Sequence, residues 1–147
     1  MARLLETYLP PVMEDGLVTA KGIRGLGTTA AAGIGYATGS GATVTQITSR
    51  ATGVTINALC GTITTDTSSL AAEASAVFVV TNSTVAIGDV VVCSMRSGSI
   101  ALNTDVVVSA VAAGSFSITV INNNVAAGVA ETGAIVINFA VIKAVSA

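Results

Sequence analysis

Carboxylates are the main candidates for acid–base chemistry in this chain, because its 147 residues include no histidine. Without an imidazole, proton transfer falls to Asp, Glu, Lys, Tyr or Cys. Two carboxylates can cleave a glycosidic bond if the fold brings them together, but two Tyr and three Phe offer few platforms for a sugar. We expect solvated loop charges rather than a catalytic pair, with a carbohydrate hydrolase as a distant third hypothesis. The carboxylates concerned lie at or near predicted turns: Asp66, Glu73, Asp89, Asp105 and Glu131.

The two cysteines, Cys60 and Cys93, are the other candidate reactive groups. They have no CxxC spacing and no histidine to share a metal, so we predict no zinc site. One disulfide remains possible if two strands place them side by side. Since cytosolic thiols stay reduced, we favour two free, half-buried thiols.

A glycine motif at residues 25–30 (GLGTTA) matches the GxGxxA form of a dinucleotide fingerprint. That fingerprint needs a preceding strand, a following helix and an acidic residue about 20 positions later. Here the following tract is rich in glycine, and residues 46–50 (QITSR) contain no carboxylate. We therefore predict no cofactor.

The composition favours an assembled β-protein. Hydrophobic residues make up 52% of the chain and charged residues 10%, whereas charged residues are about 25% of a typical soluble domain. We expect part of the apolar surface to be buried against neighbouring subunits. The net charge of −2 argues against nucleic acid as a partner.

Two long uncharged stretches, residues 25–49 and 106–130, raise the question of a membrane. The first is dense in Gly, Thr and Ser, and the second contains three consecutive asparagines from Asn122. Neither resembles a spanning helix of about 20 apolar residues. No signal peptide is evident, because Glu6, Glu14 and Asp15 interrupt any apolar run. We predict no membrane partner and assembly in the cytoplasm.

Three segments follow one another along the chain. Residues 1–24 read as an extended arm, because Pro10 and Pro11 end any helical turn. Residues 25–41 form a Gly-rich linker, and residues 42–147 a β-sandwich. The arm has apolar anchors that we predict to dock on another surface: Leu4, Leu5, Tyr8, Leu9, Val12 and Met13.

Strand signals dominate after residue 41, and they predict an all-β, jelly-roll-like sandwich of about eight strands. The predicted strands are 43–48, 54–59, 61–65, 76–82, 89–95, 105–111, 115–122 and 133–143. Residues 112–114 read as a hairpin turn. The last strand is apolar on both faces, which indicates a central strand or one covered by another subunit. We predict that one of its faces contacts another subunit: Ile135, Ile137, Phe139 and Val141.

Short motifs from residue 41 onward resemble a module of tailed-bacteriophage virion proteins. They are 43–46 (TVTQ), 52–55 (TGVT), 80–83 (VTNS), 110–116 (AVAAGSF) and 137–143 (INFAVIK). The resemblance covers about 105 residues and is strongest to the head decoration, or cement, protein family. It implies a trimeric β-rich knob seated between capsomers on the capsid exterior and bound to the major capsid protein. Residues 42–147 are then the trimerisation module, and the predicted contact face of the last strand, Ile135, Ile137, Phe139 and Val141, is the trimer interface.

The same kind of module also serves in tail fibres. The alternative is therefore a tail or fibre module that binds a host receptor, with a loop such as residues 122–127 contacting glycan. Copy number per virion separates the two hypotheses.

Overall fold

The computed structural model describes residues 35–36, 39–125 and 128–144, and this part of the chain contains eight β-strands and no helix. The strands are β1 (Gly41–Thr45), β2 (Val54–Thr55), β3 (Cys60–Thr64), β4 (Ser75–Thr81), β5 (Val90–Ser97), β6 (Thr104–Ala112), β7 (Ser115–Asn122) and β8 (Val136–Ile142). The all-β prediction is confirmed, with a strand in each predicted region. The predicted arm, its six apolar anchors and most of the linker lie outside the described residues.

The strands form two four-stranded sheets that pack together as a sandwich. The first has the order β1-β3-β8-β5, and the second has the order β2-β4-β7-β6. β8 lies between β3 and β5, which confirms the prediction of a central strand. The β1–β3 and β2–β4 pairs are parallel. They differ in this from Greek keys, which are built of antiparallel strands.

The core lies between the two sheets and follows the period-2 alternation of the strands. Phe116, Ile118 and Val120 of β7 are buried together, as their spacing predicts. The rings of Phe116 and Phe139 join the two sheets, with their centroids 5.3 Å apart. Each fully buried apolar side chain contributes about 1.5–3 kcal/mol, so this layer is a large favourable term in folding.

The structure corrects the placement of the predicted trimer interface. Ile135, Ile137, Phe139 and Val141 are buried in the core of a single chain, each at most 4% exposed. Such side chains have almost no surface left for a partner. The reason is that both faces of β8 are apolar, so its sequence does not reveal which face points inward. The outward face carries Val136, Asn138, Ala140 and Ile142 instead.

Two glycines lie where another residue would not fit, Gly61 because of a close contact and Gly114 because of its backbone conformation. A Cβ on Gly61 would lie 2.5 Å from the carbonyl oxygen of Ala42 and 2.9 Å from the ring of Phe139. The side chain of Phe139 therefore needs a glycine opposite it. Gly114 has a positive φ of 77° at the predicted turn between β6 and β7, and the antiparallel pairing of these strands confirms the hairpin.

Candidate interaction surfaces

Arg50 organises the polar residues at one end of the sandwich. Its Nε donates to the carbonyl oxygen of Ser68 at 2.5 Å, and its Nη1 donates to the Thr65 hydroxyl at 3.2 Å. Its Nη2 donates to the carbonyl oxygens of Glu131 and Gly133 at 3.1 and 2.7 Å. Burial lowers the pKa of Arg50, while the charges of Glu131 and Asp66 oppose that shift. The guanidinium thus joins three loops through their backbone.

Glu131 lies fully buried in the same cluster, which corrects its prediction as a solvated loop charge. Its carboxylate accepts hydrogen bonds from the hydroxyls of Ser99 and Thr104 at 2.9 and 2.8 Å. Further bonds come from the N–H groups of Ile100, Ala101 and Gly133. All these donors are internal, so the carboxylate is occupied by the fold itself.

The surroundings of Glu131 stabilise its charged form. Burial raises the pKa of Glu131, but the hydrogen bonds from Ile100, Thr104, Gly133 and Ser99 outweigh burial and lower it from 4.5 to about 2. A general acid needs a pKa near the working pH. The geometry therefore supports a structural role for Glu131.

Asp89 is a second carboxylate for which the prediction of a solvated loop charge is wrong. Its side chain is buried, and the residue is only 5% exposed. It forms an ion pair with Lys143 and accepts hydrogen bonds from the N–H groups of Ala86 and Ala144. The Ala86 bond, followed by the Lys143 contact, lowers the pKa of Asp89. These contacts connect the end of β8 to the turn before β5.

The remaining predicted carboxylates are Asp66, Glu73 and Asp105. Asp66 accepts hydrogen bonds from Ser68, which lower its pKa. Glu73 is exposed in a turn, and Asp105 accepts a hydrogen bond from Asn123 at 2.6 Å. Within the described ranges, no three His, Cys, Asp or Glu side chains are grouped so as to hold a metal ion.

The two cysteines are free and half-buried in the structure, as predicted. Cys60 is paired with Ala140 on one side of β8, and Cys93 is paired with Phe139 on the other. Directly paired residues share a face, whereas neighbours along a strand point to opposite faces. Cys93 therefore faces the core with Phe139, where burial raises its pKa, and Cys60 faces outward.

Two asparagines at the ends of predicted strands, Asn82 and Asn122, are fully buried. Asn82, in the Asn82-Ser83-Thr84 sequon, donates to the carbonyl oxygen of Ala58 and accepts from Thr84 in a turn after β4. Asn122 donates to the carbonyl oxygens of Leu70 and Val129. Neither amide faces solvent, so Asn122 itself is not available for the glycan contact suggested for residues 122–127.

The outer surface of the second sheet is the first candidate interaction surface. We call it the β4–β7–β6 face: Ser75, Val77, Val79, Thr81, Asp105, Val107, Ala110, Ala112, Ser115, Ser117, Thr119 and Ile121. Val77, Val79 and Val107 are 49%, 48% and 43% exposed. Asp105, the one charged side chain of this set, lies in an end row.

The outer surface of the first sheet is the second candidate. We call its apolar half the β8–β5 face: Val90, Val92, Ser94, Asn138, Ala140 and Ile142. Val90, Val92 and Ile142 are about half exposed. A shallow groove of about 220 Å³ is lined by Val92, Ser94, Asn138 and Ala140, together with Cys93 and Phe139.

Sequence reasoning recognised that the last strand is apolar on both sides but missed the apolar outer faces of β4, β5 and β6, although a signal was present. Residues 90–92 and 106–108 are each three consecutive valines, and residues 77–80 read VFVV. In such runs every second residue must point outward. The alternation that predicts two apolar faces for the last strand therefore also predicts apolar outer faces on β4, β5 and β6.

Comparison of the chain with protein-family models, curated proteins and solved structures gave no match. The described residues contain no helix that is long and apolar enough to cross a membrane.

Proposed function

We propose that this chain is a structural protein of a tailed-phage virion, one that decorates and stabilises the capsid as a homotrimer bound to the major capsid protein. The observation that carries the proposal is that the outer face of each sheet exposes valine or isoleucine side chains: Val77, Val79 and Val107 on one, and Val90, Val92 and Ile142 on the other. An antiparallel sheet commonly has one packed and one solvated face. Here valine and isoleucine side chains occupy both, and two faces suit a protein that contacts both its own copies and a shell protein.

Binding to many identical sites on a shell strengthens such contacts. A capsid presents many identical sites, and three weak contacts linked in one trimer act at high effective concentration. The proposal places the three sandwiches in a knob between capsomers. The arm of each chain, with Leu4, Leu5, Tyr8, Leu9, Val12 and Met13, then grips adjacent capsid proteins.

The buried charges support a structural rather than a catalytic role. The Glu131 carboxylate is fully engaged by Ser99, Thr104 and backbone N–H groups, and Asp89 is held by Lys143 and two backbone N–H groups. Both connect loops within the fold, so they serve the rigidity of the module. The proposal that this module belongs to a virion depends on the sequence resemblance to decoration proteins.

Quantitative mass spectrometry of purified virions tests this function. The ratio of this chain to the major capsid protein should correspond to hundreds of copies per particle. A ratio corresponding to a few tens of copies or fewer contradicts capsid decoration and favours the receptor-binding tail module. Known amounts of labelled peptides from the major capsid protein and from a tail protein provide the calibration.

A binding experiment complements the count. Purified chain is added to shells that lack it, and the shells are recovered by sedimentation. Binding that saturates at a fixed ratio to the capsid protein supports the proposal. Failure to sediment with the shells at any concentration contradicts it.

A further inference from the structure

We propose that the loop between β5 and β6, residues 99–103, is a contact loop whose exposed Leu102 enters an apolar pocket of the protein that this chain binds. The inference rests on the proposed function in taking that protein to be the major capsid protein. Among the described residues, Leu102 is the most exposed large apolar side chain, at 89%, and Ile100 of the same loop is 60% exposed. Ala101 lies between them and is buried against the sandwich.

The backbone of Leu102 supports a role in contact. Its φ is +58°, in the left-handed region, which glycine and asparagine adopt at less cost than leucine. Packing within the described fold does not account for a leucine here, because the side chain is almost fully exposed. Strained residues cluster at binding and switch sites. A contact with another molecule gives this residue type a reason at this position.

The buried carboxylate of Glu131 holds the loop in one conformation. It accepts hydrogen bonds from the N–H groups of Ile100 and Ala101. The hydroxyls of Ser99 and Thr104, on either side, donate to the same carboxylate. A loop that is rigid before binding loses little conformational entropy on binding. Glu131 is therefore a positioning residue for the proposed contact.

The chemistry of the loop selects a protein pocket over a sugar or a lipid headgroup. Residues 98–104 are joined to residues 122–125 by hydrogen bonds between Asn103 and Asn123, and neither segment contains an aromatic residue, Lys or Arg. An anionic membrane surface attracts clustered Lys and Arg. A sugar needs hydrogen-bonding groups, and the side chains of Ser99 and Asn103 already bond within the chain. An apolar pocket of a protein instead removes an aliphatic side chain from water.

A pair of matched variants tests the inference on the full chain. Leu102→Asn keeps a residue that tolerates a positive φ but removes the apolar side chain. Ile87→Asn makes the same kind of change at a 71% exposed residue in the turn that contacts Lys143, at the opposite end of the sandwich. We expect Leu102→Asn to raise the folded-to-unfolded ratio about fivefold in urea denaturation, because strain is relieved. It should also need at least about a tenfold higher concentration for half-saturation of shells, whereas Ile87→Asn should bind normally.

Each outcome of this comparison has a defined meaning. Greater stability with weaker binding cannot come from unfolding, so it supports a contact made by Leu102. Normal binding by Leu102→Asn overturns the inference and leaves capsid decoration standing, whereas a wild type that does not bind shells overturns the proposed function as well. A less stable Leu102→Asn contradicts the strain, and an equal loss of binding by Ile87→Asn contradicts the assignment to this loop.

Two further measurements separate the protein pocket from other partners of Leu102. Light scattering compares the variant with the wild type, and a smaller mass for Leu102→Asn would place the residue at a contact between copies. Sedimentation of the wild type with phosphatidylcholine vesicles would indicate a lipid partner. Either result contradicts the inference.

Amide hydrogen exchange measured by NMR tests the rigidity of the loop without any partner. The N–H groups of Ile100 and Ala101 are bonded to the Glu131 carboxylate. We therefore expect them to exchange at least about a hundredfold more slowly than in the unfolded chain. Exchange at the unprotected rate would contradict a preorganised loop.

Discussion

Arg50 donates a hydrogen bond of 3.1 Å to the backbone carbonyl oxygen of Glu131, while the Glu131 carboxylate is held by a different set of donors. The two buried charges are therefore satisfied separately, one by carbonyl oxygens and the other by N–H and hydroxyl groups. Together they connect the loops around Ser68, Ile100 and Gly133 at one end of the sandwich. This cluster makes the loops part of the cooperative fold.

We predict that Glu131→Gln destabilises the protein, because an amide nitrogen replaces one acceptor and leaves buried donors unpaired. Each unpaired buried donor costs about 1–3 kcal/mol, so we expect a loss of about 2–4 kcal/mol in the free energy of unfolding. Urea denaturation measures it. Glu73→Gln is the matched control, since Glu73 is exposed. An equally small effect of both variants contradicts the structural role of Glu131.

The pH dependence of stability provides a second test. The pKa of Glu131 is lowered in the fold from 4.5 to about 2, so its stabilising contribution is present above pH 4.5 and is lost as the pH falls toward 2. The wild type should lose more stability over this interval than Glu131→Gln, which lacks the titrating group. The lowered pKa values of Asp66 and Asp89 affect both proteins alike and cancel in the difference. Parallel melting curves from pH 7 to pH 2 would argue against the assignment.

Cys60 and Cys93 should not form an intrachain disulfide, because they lie on opposite faces of the sheet. Iodoacetamide should label the outward Cys60 faster than Cys93, whose pKa is raised by burial and whose thiolate is therefore scarcer. Mass spectrometry of peptides measures both outcomes, the labelling on the reduced, folded protein and the disulfide on the same protein after oxidation. A Cys60–Cys93 disulfide peptide would show that the β3–β8–β5 register is incorrect.

Removal of residues 1–24 should leave the module folded and trimeric but greatly weaken its attachment to shells. Within the described residues, the core cluster is formed by side chains from Val54 to Val141, all of which follow the predicted linker. Replacing Leu5 and Leu9 with Ser should have the same effect, because apolar burial drives the attachment. Sedimentation with shells measures it, and circular dichroism provides the folding control. Normal occupancy by the truncated chain would assign the binding to the sandwich.

The sequence predicts the strands well because alternation and turn residues act locally. Residues 115–122 were predicted with their observed bounds, and the hairpin at Gly114 was also predicted. The inward face of β8 was not predictable, since Phe139 and Ala140 are both apolar neighbours on opposite faces. Glu131 resembled a loop charge because its donors at Ser99 and Thr104 lie about 30 positions away, and pairing over that distance leaves no local pattern.

Electron cryomicroscopy of the native particle tests capsid decoration most directly. The account predicts three-lobed knobs on the outside of the shell, between capsomers, each fitted by three copies of the sandwich. A shell without such knobs, with density for the sandwich on the tail alone, would contradict it.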